Sequence, residues 1–139
     1  MPELNRRFWS NDLKRWRNMD FVLGYEVKPP ARTHLPYPIC QQLAGIYPKW
    51  FEFTGWREDC GCSLTPIMPD EVEYSQYEES ILNGTASLFQ FRNMVTDVPH
   101  NFKRWVADNQ NLEEVPDFVK ANFVNGDIKQ GLSYPSSTY

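Results

Sequence analysis

Apolar residues near the beginning of the chain recur first with the period of a helix and then with that of a strand. Trp9, Leu13 and Trp16 stand at i, i+4 and i+7, which is one face of a helix. Every second residue of the segment 21–27 is large and apolar, as in a strand with one buried face. The two periods together predict an α+β fold.

Local signals for further helices lie in the second half of the chain. Asp70 and Glu73 have the spacing of a capping box, and the helix they open should end at Asn83-Gly84. Pro99 precedes a second helix, and Pro116 a third. Asn101 is the predicted N-cap of the second helix, and Asn125-Gly126 should close the third.

The centre of the chain, residues 36–69, is interrupted by proline and glycine and predicts irregular backbone. It leaves room for a short helix around 39–44 and a strand over 64–68, and residues 86–91 alternate weakly as a further strand. We therefore predict a small, helix-heavy α+β domain with short strands and an irregular Pro/Gly-rich centre, which a zinc ion would staple.

Length and composition limit the class of protein. A chain of 139 residues has the size of one domain, and an aromatic content of 15% excludes general disorder. We divide it into a basic-aromatic helical segment (1–19), a core (20–126) and a loose polar tail (127–139). There is no apolar run of about 20 residues to span a membrane and no secretory signal, so we expect synthesis in the cytoplasm.

Charge is unevenly distributed along the chain. The net charge is −4, although residues 1–32 alone carry seven basic and four acidic side chains. Such an acidic total argues against a protein that coats nucleic acid. The basic N-terminal residues could still contact a polyanion such as packaged DNA; they are Arg6, Arg7, Lys14, Arg15 and Arg17. The face of Trp9, Leu13 and Trp16 is our candidate interface with another subunit, and packing on the chain's own core is the alternative.

Four residues with metal-ligand chemistry fall in or near the irregular centre. They are His34, Cys40, Cys60 and Cys62. One imidazole and three thiolates would complete a closed structural zinc site. The alternative is that the cysteines only pack as small buried hydrophobic groups.

Catalytic motifs are absent from the sequence. It has no nucleophile elbow, P-loop, dinucleotide-binding glycine pattern or H-E-x-x-H. His100 is the residue that an alternative, enzymatic interpretation would use as a base. We therefore expect no catalytic residues and no small-molecule substrate.

Several segments of the sequence resemble the C-terminal part of phage minor head proteins, the Mu F-like head-morphogenesis family. The resemblance runs from about residue 20 to 123 and is carried by the segments 24–27, 38–49, 53–56, 60–67 and 99–118. The family typically reads G-W-H-P-x-C-x-C where this chain has Gly55-Trp56-Arg57-Glu58 before Cys60. The family's histidine is thus Arg57 here, and His34 would have to complete the site.

The resemblance implies a structural component of a phage virion. Its expected partners are other head or portal proteins, with packaged DNA as a second candidate, and the expected location is the virion after synthesis in the bacterial host. Two alternatives remain open: a small nuclease or ADP-ribosyltransferase-like enzyme associated with a phage head, and a zinc-stabilised adaptor that binds a host protein.

Overall fold

The computed structural model describes residues 2–29, 38–57 and 60–135, and it has the predicted α+β composition. Its helices and strands are α1 (Pro2–Arg17), β1 (Gly24–Lys28), α2 (Pro38–Gln42), β2 (Gly45–Tyr47), β3 (Ser63–Ile67), α3 (Glu71–Leu82), α4 (His100–Asp108) and α5 (Asp117–Asn122). Single 3-10 turns cover Ala86–Leu88, Val124–Gly126 and Ile128–Gln130. No described helix is both long enough and apolar enough to cross a bilayer.

The three strands form one antiparallel sheet with β1 in the middle. The order is β2-β1-β3, and Tyr25 of β1 stands opposite Tyr47 on one side and Pro66 on the other. Gly24 begins β1 where the backbone is crowded, because a Cβ there would lie 2.7 Å from the carbonyl oxygen of Tyr47. The sheet thus brings the irregular centre of the chain back onto its first strand.

Aromatic rings fill the core between the sheet and the helices. Tyr47 is fully buried, and its ring centroid lies 4.7 Å from that of Phe51 and 5.6 Å from that of Trp56. The same cluster reaches α4 and α5, because Trp56 packs edge-on against Phe118 at 4.9 Å and Phe102 lies 5.2 Å from Phe51. Pairs at these separations favour edge-to-face geometry and stabilise the core beyond their buried area.

The burial of one face of helix α1 contradicts the prediction of an interface at Trp9, Leu13 and Trp16. These three side chains are 6%, 1% and 6% exposed and belong to the main core cluster. The prediction that they contact another subunit is therefore wrong, and packing on the chain's own domain is the correct alternative. The physical reason is the aromatic centre of the chain, which offers the helix a large apolar surface to cover.

The end of the described chain is also different from the expected loose tail. Ile128 is buried in the core, and Phe123 forms an antiparallel bridge with Leu132. The hydroxyl of Tyr134 donates a hydrogen bond of 2.8 Å to Asp97. Residues 127–135 are thus tied to the domain, while residues 136–139 lie outside the described part.

Two smaller predictions are wrong for local reasons. Residues 86–91 do not form a strand, because Ala86–Leu88 make a 3-10 turn beside α3. Asn101 does not cap α4, since the helix begins at His100 and the Asn101 amide donates to the carbonyl oxygens of Gln42 and Ala44. That amide instead ties α4 to the turn between α2 and β2.

Candidate metal centre

Three buried cysteines meet between helix α2 and the loop that leads into strand β3. Cys40 lies in α2, and Cys60 and Cys62 stand at the end of the loop. The Sγ atoms of Cys40 and Cys60 are 3.9 Å apart, and all three Sγ atoms lie within 4.8 Å of one another. Sulfur ligands of a tetrahedral site with 2.3 Å bonds are about 3.8 Å apart. The three thiols are thus spaced as ligands of one ion, and the site can hold a metal.

Backbone N–H groups near Cys60 favour the charged form of its thiol. Those of Cys62 and Trp56 both lower the pKa of Cys60. The first of these N–H groups belongs to Cys62, only two residues after Cys60, so the C-x-C spacing itself keeps it near the sulfur. Such donors stabilise the charged thiolate that a metal requires.

Ionisation differs sharply among the three thiols. A hydrogen bond from the Cys62 thiol, helped by the two backbone N–H groups, lowers the pKa of Cys60 to about 6 despite its burial. Burial and the neighbouring Cys60 charge raise the pKa of Cys40 to about 11. The hydrogen bond to Cys60, and then burial, raise the pKa of Cys62. A bound divalent ion would favour ionisation of all three thiols.

Helix α1 covers the cysteine cluster through Trp9. The indole Nε1 of Trp9 donates to the carbonyl oxygen of Cys62 at 3.3 Å, and its ring packs edge-on against Phe53 at 4.7 Å. Gly55 passes beneath the indole with a φ of +93°, and a Cβ there would lie 3.2 Å from Trp9 Cζ3 and 3.4 Å from the Cβ of Cys60. Glycine is therefore required for the loop to fit between the helix and the cysteine.

A fourth ligand is absent among the residues that the structure describes. The predicted ligand His34 lies in the segment 30–37, outside those residues. Tyr47 is close to Cys62, but its hydroxyl donates to the carbonyl oxygen of Leu43 at 2.6 Å, and burial raises its pKa strongly. It therefore stays protonated. Arg57 contributes positive charge near the thiols, because its charge partly offsets the rise in the pKa of Cys40.

The basic residues of the N-terminal segment do not form one uniform patch. Arg7 and Lys14 are exposed on α1, and Arg15 is exposed but pairs with Asp12 at 2.8 Å. Arg17 points the other way: its Nε donates to the carbonyl oxygen of Lys49 at 2.7 Å and its Nη2 to Glu52 at 2.8 Å. Arg17 therefore braces the loop between β2 and β3, which we name the central loop. The side chain of Arg6 lies outside the described part.

The residue proposed for an enzymatic alternative does not lie in a described cavity. His100 is an exposed residue at the beginning of α4. One cavity of about 470 Å³ lies between residues 110–119 and 126–129, and one of about 480 Å³ lies beside Asp20, Lys49 and Tyr77. Neither is lined by His100 or by a cysteine.

Sequence reasoning found the cysteines but missed the residues that shape their surroundings. The N–H donors of Cys62 and Trp56 have a signal in the C-x-C spacing and in the nearby Gly55-Trp56 turn. The contact between Trp9 and Cys62 has none, because the two residues are 53 positions apart.

Comparison with protein-family models, with curated proteins and with solved structures finds no match for this chain.

Proposed function

We propose that this chain is a non-catalytic structural component of a phage head, stapled by one zinc ion and docked on other head or portal subunits. The single observation that carries the proposal is the cluster of three buried thiols within 4.8 Å of one another. The segments of the sequence that resemble minor head proteins include the two closely spaced cysteines and the loop that leads to them.

The position of the cluster supports a structural role for the metal. It joins three parts of the chain: α2 through Cys40, the central loop through Cys60 and Cys62, and α1 through Trp9 above them. All three thiols are buried, and an ion enclosed in this way has little room for a substrate. Closed sites of this kind stabilise a fold, whereas catalytic sites keep a ligand position open.

Zinc fits the donor set better than other common ions. A site of three closely spaced thiols favours zinc or an iron–sulfur centre over magnesium or calcium, which prefer oxygen. Zinc with Cys40, Cys60, Cys62 and His34 would leave a formal charge of −1, which the nearby Arg57 offsets. We therefore assign the fourth position to His34.

Metal analysis tests the staple directly. Protein purified without chelator is expected to carry one zinc per chain, and Cys60→Ser is expected to lose it. His34→Ala should weaken zinc binding by about tenfold or more, because it removes one ligand. His100→Ala is the matched control and should leave the zinc content unchanged. Protein without stoichiometric metal, or with iron in its place, would contradict the proposal.

Analysis of purified particles tests the assignment to the head. Quantitative mass spectrometry of virions should detect this chain at a fixed low ratio to the major capsid protein. Detection only in infected cells, bound to a host protein, would favour the adaptor alternative. Turnover of nucleic acid or of a nicotinamide dinucleotide that is lost in His100→Ala would favour the enzyme.

A further inference from the structure

Residues 70–91, which we name the acidic arm, expose several large apolar side chains at one end. Leu82 is 87% exposed and Leu88 79%, and Ile81 is 52% exposed beside them. The end of the arm is held in shape by the hydrogen bond from the Thr85 N–H to the Ser80 carbonyl oxygen at 2.8 Å. Leucine side chains grouped on an exposed turn are typical of a surface that binds a partner.

The arm is also uniformly acidic. Its 22 residues include Asp70 and four glutamates but no lysine or arginine. Glu73 is buried and accepts a hydrogen bond from the Arg92 N–H, so it is used within the fold. Glu71, Glu78 and Glu79 are exposed, and Glu78 stands one helical turn from Leu82. The surface therefore fits a partner with an apolar group next to basic side chains.

The outer face of α1 has that combination. Arg7, Phe8, Lys14 and Arg15, which we name the basic face, are exposed; Phe8 is 58% exposed, and Arg15 also pairs with Asp12 at 2.8 Å. The opposite side of the helix is buried through Trp9, so the basic face is directed away from the core. Phe8 precedes the basic pair in sequence, whereas Leu82 follows the glutamate pair. Two such helices complement each other when they run antiparallel.

We propose that the acidic arm of one copy docks on the basic face of a second copy. Leu82 and Leu88 would cover Phe8, while Glu78 and Glu79 would face Lys14 and Arg15. The two surfaces are different, so the contact is head-to-tail, and repetition of it gives a ring or a filament rather than a closed dimer. This inference deepens the proposed function and rests on it, because it names a second copy as one docking partner.

Charge reversal in both surfaces tests the contact. The acid-reversed variant is Glu78→Lys with Glu79→Lys, and the base-reversed variant is Lys14→Glu with Arg15→Glu. Glu113→Lys with Glu114→Lys is the matched control, since this exposed glutamate pair lies outside both surfaces. Self-association of the full chain is followed by sedimentation velocity at about 50 mM and about 500 mM salt, because screening weakens exposed charge pairs.

The wild type and the control should associate at low salt and less so at high salt. Each reversed variant alone should associate at least about tenfold more weakly. An equimolar mixture of the two reversed variants should regain association, because every contact between unlike copies then joins opposite charges. A wild type that stays monomeric at low salt, or a mixture that stays monomeric, would overturn the inference.

Two further measurements separate this inference from the proposed function. Every variant is assayed for metal content, which should match the wild type because neither surface touches the cysteines. Melting temperature is measured as well and should fall only slightly in the base-reversed variant, which loses the exposed Arg15–Asp12 pair. A monomeric chain that keeps its zinc and occurs in virions would overturn the second-copy contact and leave the structural role in place. Capture of a different head protein by the acidic arm would likewise overturn it. Leu82→Ser should also weaken association, because Leu82 covers Phe8 in the proposed contact, and unchanged association of this variant would contradict the contact.

Discussion

Asn122 fastens the central loop to helix α5. Its side chain is 3% exposed, its Oδ1 accepts from the Glu52 N–H at 2.7 Å, and its Nδ2 donates to the carbonyl oxygens of Glu52 at 2.7 Å and Phe118 at 2.9 Å. Both backbone groups of Glu52 thus depend on one amide. The loop that ends in the cysteines is held at its beginning by this residue.

Replacement of that amide should be costly. Asn122→Ala leaves the N–H and carbonyl of Glu52 without their partner, and we expect a loss of about 1–3 kcal/mol in the free energy of unfolding. The measurement is urea denaturation followed by fluorescence. Asn111→Ala, at an exposed position, is the control and should change stability by less than about 0.5 kcal/mol. Equal effects of the two substitutions would show that the amide does not hold the loop.

Sequence signals at the level of single elements predicted the helices better than the strands. Helix α3 lies where Asp70 and Asn83-Gly84 placed it, and the Asp70 side chain accepts from the Glu73 N–H at 2.8 Å. The capping box is only half formed, because the Glu73 carboxylate instead accepts from the Arg92 N–H. Caps act within a few residues, so they can be read locally, whereas the use of Glu73 depends on a residue 19 positions away.

Strand β2 shows the limit of such signals. It spans only Gly45–Tyr47 and forms by pairing with β1. Three residues are too few for an alternation of apolar and polar side chains that would predict a strand. The cysteines were found because thiols are rare, and their closeness follows from the sheet, in which β1 pairs with both β2, which follows α2, and β3, which follows Cys62. The three cysteines of the site could therefore be predicted from the sequence, whereas the position of Trp9 above them is seen only in the folded structure.

Helix α1 gives a prediction about that cover. Trp9→Ala removes a buried indole and its hydrogen bond to Cys62, so we expect a loss of about 3–5 kcal/mol in the free energy of unfolding. In metal-free protein the cysteines should also react faster with a thiol reagent. Phe8→Ala, the exposed neighbour, is the control, measured at low protein concentration where copies do not associate. Thiol reactivity that is unchanged in Trp9→Ala would contradict the role of α1 as a lid.

At the scale of the whole molecule, the core and the metal site overlap only in part. The cysteines belong to the main core cluster, but that cluster also includes Phe102, Trp105 and Phe118, which join α4 to α5 by ring contacts. Those contacts do not involve sulfur. The aromatic core thus does not depend on the cysteine cluster, and the proposed zinc ion would add a second source of stability between α2 and the central loop.

Removal of the metal should accordingly destabilise the domain without unfolding it. At a free zinc concentration about a thousand times the dissociation constant, binding contributes about 4 kcal/mol to stability. In a domain of this size that corresponds to a fall of about 14 °C in the melting temperature after chelation. Far-ultraviolet circular dichroism at room temperature should be retained, because the aromatic contacts remain. Cys60→Ser serves as the control, since its melting temperature should not respond to the chelator. Complete loss of secondary structure on chelation would show that the aromatic core cannot stand without the staple, and an unchanged melting temperature would show that the three thiols hold no stabilising ion.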